Sequence, residues 1–284
     1  MKMIWLKRDL KNETAYLRAQ APQLSHATIP IGDRDAVAAA PAGTIELIFL
    51  KQAIRSDWGN AAYADWSQVN DVITNRAALL GSTSVELFKR DGSPRHRTGP
   101  EEHAVERVKQ DGGRHGALGY WDSTHSSPCQ KTPLTSRRPE WLNNHRDLIE
   151  FVDAEYGLQV PRIYARQKAE VAHVPNWRLW NTIFTTVYLI KRVETRYHAD
   201  TGNLGGVLTA IMPLGKFRGG SLIIPRWGLR IDYTTGDLLY FNAKNLHGNL
   251  PVESSEGAGR LAAIFYCEGR IGQCPSSVDC GQSQ

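Results

Sequence analysis

The chain has 284 residues, 41% of them hydrophobic and 22% charged, an ordinary globular usage that excludes wholesale disorder. A formal net charge of +5 and a pI near 9.0 fit a polyanionic partner without demanding one. No window approaches the ~18 uninterrupted apolar residues of a membrane-spanning helix, and the opening run Met1 to Leu10 is broken by charge too early for a secretory signal, so an intracellular protein without a membrane partner is expected.

Along the chain, Trp66, Val69, Ile73, Ala77 and Leu80 recur at spacings of three and four and Gly81 follows, which predicts a helix over 61–80. Residues 89–114 are polar and basic, with Gly112-Gly113 near their end, and read as a basic loop or a linker. That stretch divides the chain into a mixed, partly helical extension over 1–110, a core over 111–272 and a tail over 273–284. A second helix is predicted over 146–156, from Leu148, Ile149, Val152 and Tyr156 on one side and Gly157 at its end. After residue 180 come short β-rich runs: 183–190, 193–198, 207–214, 221–225, 229–233, 237–241 and 261–267, most separated by glycine-containing turns. Such a series predicts a β-sandwich or jelly roll, and the lack of alternating helices excludes a doubly wound nucleotide-binding sheet. Leu214-Gly215-Lys216 lacks the preceding glycine of a phosphate-binding loop. Cys129, Cys267, Cys274 and Cys280 are too few for a disulfide framework and are expected to be reduced thiols; the last three match no zinc spacing.

The residues that carry chemistry are His198-Ala199-Asp200 and His247. On an extended segment, residues two apart project to one face, so an imidazole and a carboxylate enter the same space. A second imidazole, 47 residues beyond Asp200, completes two His and one carboxylate on one side of a metal, a set that suits non-haem Fe(II) with open positions. Arg260 opens a later apolar strand, and a guanidinium inside a β-barrel needs a counterion, which a dicarboxylate cosubstrate would supply. The plain alternative leaves both histidines as hydrogen-bonded interior groups and Arg260 on the surface.

These segments together resemble the TET/JBP family of Fe(II)/2-oxoglutarate-dependent dioxygenases, which act on 5-methylpyrimidines in DNA. The resemblance is carried by Asn181 to Thr186, Thr195 to Leu204, Leu214 to Leu222, Gly236 to Phe241, His247, and Arg260 to Tyr266, with Gly116 to Asp122 and Cys129 to Thr135 upstream. It implies a mainly β, α+β fold: a double-stranded β-helix of jelly-roll, cupin-like form, flanked by helices. It implies that His198, Asp200 and His247 ligate Fe(II), that Arg260 holds 2-oxoglutarate, and that O2 is the second cosubstrate. Asn203 matches a base-contacting Asn, and Tyr266 an aromatic that stacks on a flipped base. Two departures stand out: Glu268 replaces a base-proximal His, and Ala262 replaces a Ser near 2-oxoglutarate, while the cysteine-rich region of the animal enzymes is absent. Glu268 can accept from cytosine N4.

The resemblance implies oxidation of 5-methylcytosine to 5-hydroxymethylcytosine in methylated duplex or single-stranded DNA, in whatever compartment holds DNA; a monomer is the favoured state. Thymine as the target, another 2-oxoglutarate oxygenase substrate and a catalytically silent DNA-binding module are the alternatives. Arg95, Arg97, Arg114, Lys131, Arg137, Arg138, Lys216, Arg218 and Arg226 are candidate phosphate contacts, and Tyr197 and Trp227 are further aromatic candidates.

Overall fold

A computed structural model describes residues 1–7, 21–72, 113–121, 129–253 and 259–275. Most of the predicted basic loop, with Arg95 and Arg97, lies outside the described residues, as does Cys280. In chain order the elements begin with β1 (Lys2–Trp5), β2 (Ile29–Ile31), β3 (Ala36–Ala39), β4 (Ile45–Leu50), α1 (Ser56–Trp66) and β5 (Asp71–Val72). Next come β6 (Arg114–Trp121), β7 (Gln130–Lys131), α2 (Pro133–Arg137), α3 (Glu140–Asn143), α4 (Arg146–Gln159) and α5 (Pro161–Val171). The β-rich half supplies β8 (Thr186–Lys191), β9 (Thr209–Leu214), β10 (Arg218–Gly219), β11 (Leu222–Ile224) and β12 (Leu229–Ile231). It ends with β13 (Leu238–Phe241), β14 (Gly248–Asn249), β15 (Val252–Glu253) and β16 (Leu261–Tyr266).

The principal sheet runs β1-β3-β4-β13-β9-β16-β8-β6-β5, with β7 paired to β6. A smaller sheet runs β14-β11-β12-β2. Neighbours are antiparallel except β1 with β3 and β12 with β2. Both sheets therefore take strands from the first seventy residues, where the sequence announces no motif.

Strand alternation builds two cores from one sheet. On β9, Ala210, Met212 and Leu214 face the helices, while Ile211 faces the smaller sheet. On β13, Leu238 and Tyr240 take the helix side, and Leu239 and Phe241 the other. Trp66, Ile149, Val152 and Tyr156 close the helix-side core; Leu222, Ile224, Leu229 and Ile231 close the inter-sheet core. Each such buried side chain contributes about 1.5–3 kcal/mol relative to exposure. The result is the mainly β, helix-flanked jelly roll that the resemblance implies.

Several local expectations need correction. The helix predicted over 61–80 spans Ser56–Trp66 instead, and the chain is extended again by Asp71. Trp66 and Val69 are both buried, so the apolar spacing is real, but Ser67 and Gln68 turn the chain and the poor helix formers Asn70 and Asp71 follow; residues 73–80 lie outside the described residues. The second helix does not stop at Gly157: α4 runs on to Gln159, with the Tyr164 ring lying where a side chain on Gly157 would point. Residues 193–198 form no strand, only a backbone bridge at His198. Finally, Cys129 and Cys274 are joined in a disulfide, their Cα atoms 5.7 Å apart, so these two are not the reduced thiols expected from cysteine number. They lie 145 residues apart, a pairing that spacing does not reveal. Cys267 is a buried free thiol, pushed up to about 12 by burial, with Glu268 and Glu170 adding to the shift. Among the described residues no helix is long and apolar enough to cross a membrane.

Candidate active site

The site opens between the two sheets, in a cavity of about 270 Å³. Its wall on the principal sheet is set by the period of two along β16: Arg260, just before the strand, then Ala262, Ile264 and Tyr266 all line the cavity. Residues 261, 263 and 265 point the other way, into the helix-side core.

His198 and His247 face each other across an antiparallel bridge, each backbone N–H donating to the other's carbonyl at 2.9 Å. Their ring centroids are 4.3 Å apart. The His198 Nδ1–H donates to the Arg196 carbonyl at 2.7 Å, and the His247 Nδ1–H to the Asn245 carbonyl at 2.9 Å. A carbonyl only accepts, so both rings carry a proton on Nδ1, which leaves Nε2 as the atom available to ligate. Asp200 Oδ1 lies 3.7 Å from His198 Nε2. One ligand atom from each of the three residues falls within 4.8 Å of the others, so the three converge on a space where one ion could be held. Two imidazoles and a carboxylate match a first-row divalent metal such as Fe(II), and each imidazole is already oriented by a carbonyl behind it. Burial, and secondarily the neighbouring His198, pushes the His247 imidazole down to about 4. It is therefore an uncharged donor at neutral pH.

Arg260 is 3% exposed. Its Nη1 donates to the Gly220 carbonyl at 3.1 Å and to the Tyr233 hydroxyl at 2.8 Å, and its Nη2 to the Val193 carbonyl at 2.8 Å. Among the described residues no carboxylate neutralises it, an arrangement that leaves a buried cation short of a counterion and suits a bound dicarboxylate. Gly220 makes room for it: at φ +69°, an added Cβ would lie 3.0 Å from Arg260 Nη1.

Asn203 also lines the cavity. Its Nδ2 donates to Thr209 Oγ1 at 3.0 Å and, at 3.4 Å, to Asp200 Oδ2. A carboxylate only accepts, so this partner favours the amide orientation with Nδ2 toward Asp200. Glu268, expected at the base, is not among the residues that line the cavity; it pairs with Asn203 through a backbone bridge, and its backbone N–H donates to Thr185 Oγ1 at 2.9 Å. The Tyr266 hydroxyl is held well above its usual range, first by burial and then by Glu268. Tyr197 is wholly buried, its hydroxyl 2.9 Å from His26 Nδ1, and Trp227 packs into the inter-sheet core; neither lines the cavity. Of the basic candidates, Lys131, Arg137, Arg138, Lys216 and Arg218 are exposed, whereas Arg114 is half-buried at the start of β6 and Arg226 is half-buried beside Trp227.

Some members of the site carry no sequence signal. Tyr233 supports Arg260 from 27 residues away. Asn249 lines the cavity and its Oδ1 accepts from both the backbone N–H and the hydroxyl of Thr195, at 2.8 and 2.6 Å. Both look like ordinary strand-end polar residues until the sheets are assembled.

Comparison with known proteins gives a consistent placement. The bifunctional helicase and thymine dioxygenase JBP2 of Trypanosoma brucei brucei is 30% identical over 154 residues, which is 52% of this chain and 14% of that protein. Thymine dioxygenase JBP1 of the same organism is 27% identical over 169 residues, 56% of this chain and 20% of that protein. The chain thus spans only a small part of the length of the relatives it matches. Among solved structures, NgTET1 in complex with 5mC DNA superposes with a TM-score of 0.55 at 12% identity, covering 90% of this chain and 82% of that one, a likeness of fold. A family model described as the oxygenase domain of the 2OGFeDO superfamily, Tet_JBP, matches residues 117–268, more than half of the chain, and the protein belongs to that oxygenase family.

Proposed function

We propose that this chain is an Fe(II)- and 2-oxoglutarate-dependent dioxygenase that hydroxylates the 5-methyl group of 5-methylcytosine in DNA. The observation that carries the reading is the convergence of His198, Asp200 and His247 in one cavity with a buried Arg260 that has no carboxylate partner among the described residues. In this reading the three side chains hold the iron, and Arg260 takes the distal carboxylate of 2-oxoglutarate through its guanidinium fork. When bound with O2, that pair supplies an oxidant able to hydroxylate a methyl C–H bond.

The protein's own residues do the rest. Carbonyls 196 and 245 keep both imidazoles in the ligating tautomer, and Ile190, Ile211, Ile264 and Phe241 line the cavity with apolar surface that limits water. A methyl inside a duplex is out of reach, so the base must be extruded, at a cost of a few kcal/mol. Stacking on Tyr266 returns about 1–3 kcal/mol of that. The Asn203 amide lines the cavity, and the Glu268 carboxylate, though not among the lining residues, lies close enough to act on the Tyr266 hydroxyl; the two are proposed to meet the amino group that cytosine carries at C4. The exposed Arg137, Arg138, Lys216 and Arg218 are proposed to meet phosphates, and the chain to act as a monomer wherever DNA resides. Thymine is the second reading, favoured by relatives that are named thymine dioxygenases.

Purified protein, Fe(II) and 2-oxoglutarate are incubated with methylcytosine duplex, thymine-only duplex and the matching single strands, and the nucleosides are weighed after digestion. Hydroxymethylcytosine is the expected product; hydroxymethyluracil alone transfers the activity to thymine. No oxidised nucleoside, together with no charge-transfer band on anaerobic addition of Fe(II) and 2-oxoglutarate, leaves a silent binding module. Arg260→Ala is expected to raise the 2-oxoglutarate requirement at least tenfold, as loss of a charge-assisted pair worth about 1.5–3 kcal/mol implies.

A further inference from the structure

Glu46 lies on β4, outside the segment that matches the family, and is 7% exposed. A carboxylate taken out of water is costly unless its oxygens are satisfied. Among the described residues it meets amides and no cation. One oxygen, Oε2, accepts from Asn242 Nδ2 at 3.0 Å and from Asn245 Nδ2 at 2.8 Å, and the Glu46 backbone carbonyl accepts the Asn242 N–H at 2.9 Å.

Those two asparagines begin and close one turn, the Asn245 N–H donating to the Asn242 carbonyl at 3.1 Å. The turn is what the candidate iron ligands hang from. The Ala243 carbonyl accepts the Asp200 backbone N–H at 2.9 Å, and the Asn245 carbonyl accepts His247 Nδ1–H at 2.9 Å. His247 in turn pairs backbone to backbone with His198. A single carboxylate thus clamps both ends of the turn that positions Asp200 and His247.

We infer that Glu46 is a positioning residue for the metal triad: it fixes the 242–247 turn through Asn242 and Asn245 and so holds Asp200 and His247 in ligating geometry. The inference rests on the reading of His198, Asp200 and His247 as metal ligands. Because one oxygen takes both amides, the clamp works by hydrogen bonding, and a glutamine carbonyl can replace it.

The test is Mn(II) titration of metal-free protein, followed by loss of the free-ion EPR signal, a readout that does not depend on turnover. Glu46→Ala is expected to weaken Mn(II) binding about 10–100-fold, the usual cost of removing a group that orients a ligand, with Glu46→Gln within about threefold of wild type. Asn245→Ala, which cuts the clamp from the turn side while keeping the carbonyl that His247 uses, is expected to weaken binding in the same direction and stands in if Glu46→Ala fails to fold. Wild-type affinity in these alanine variants overturns the inference, as does a Glu46→Gln that binds as poorly as Glu46→Ala. If wild-type protein itself leaves the Mn(II) signal undiminished, the ligand reading fails too; if it binds while the variants match it, only the role of Glu46 falls.

Discussion

At His247 a local hydrogen bond and burial act on the same proton. The ring is 4% exposed, and its Nδ1–H is already committed to a carbonyl, so a second proton has to be added to Nε2 inside the cavity. That is why the imidazole is held down to about 4, against about 6.5 in an unfolded chain. Between those two values the unfolded chain binds more protons than the folded one, so stability falls as pH falls. The contribution is complete above pH ~6.5 and lost by pH ~4, amounting to about 3 kcal/mol for this group. Metal-free protein is therefore expected to show a urea midpoint that drops steadily from pH 7 to pH 4.5. His247→Gln should flatten that drop; an equal slope in the variant would assign the acid sensitivity to other groups.

At the level of elements, α4 supports the site from beneath. Tyr156 is wholly buried, its ring stacked 5.2 Å from Tyr240, and its oxygen accepts the Leu208 N–H at 2.7 Å just before β9 begins. Tyr156→Phe keeps the ring but leaves that N–H without its acceptor, a loss of about 1–3 kcal/mol readable in the urea midpoint. Mn(II) affinity should stay at the wild-type value, because the triad hangs from the other side of the sheet. The period of 3.6 that made α4 readable was clean, with Leu148, Ile149, Val152 and Tyr156 all buried. By contrast α5, which follows at Pro161, is mostly polar, burying only Gln167 and Val171, and gave no apolar stripe to read. The strands of the β-rich half were legible for the opposite reason: their two-faced burial makes nearly continuous apolar runs between glycine turns. His198, Asp200 and His247 could be read because the ligand types and their order carry chemistry on their own. Tyr233 and Glu46 could not, since each acts through a partner that only the assembled sheets bring near: Tyr233 meets Arg260 from the facing sheet, and Glu46 meets Asn242 beside the β4–β13 pairing, across 196 residues.

On the scale of the whole molecule, two long-range ties enclose the jelly roll. One is the pairing of β4 with β13, which joins the start of the chain to the strand before His247. The other is the Cys129–Cys274 disulfide, whose loop contains the triad, Arg260 and every strand from β8 to β16. Cys274 follows the turn at Glu268 to Ile271 and packs with Cys267, Val171 and Val174, so the bond fastens the end of the cavity wall, already packed on α5, to the start of β7. Closing a loop of 145 residues removes chain entropy from the unfolded state worth up to about 5 kcal/mol. Reductant is therefore expected to lower the urea midpoint of wild-type protein and to leave a Cys129→Ala, Cys274→Ala double variant unmoved. Alkylation of the unfolded protein without reductant, read by peptide mass at the three described cysteines, should modify Cys267 and spare Cys129 and Cys274. Full labelling of all three, with one midpoint in both buffers, would mean that the two sulfurs lie close without bonding and that hydrophobic packing alone holds this wall.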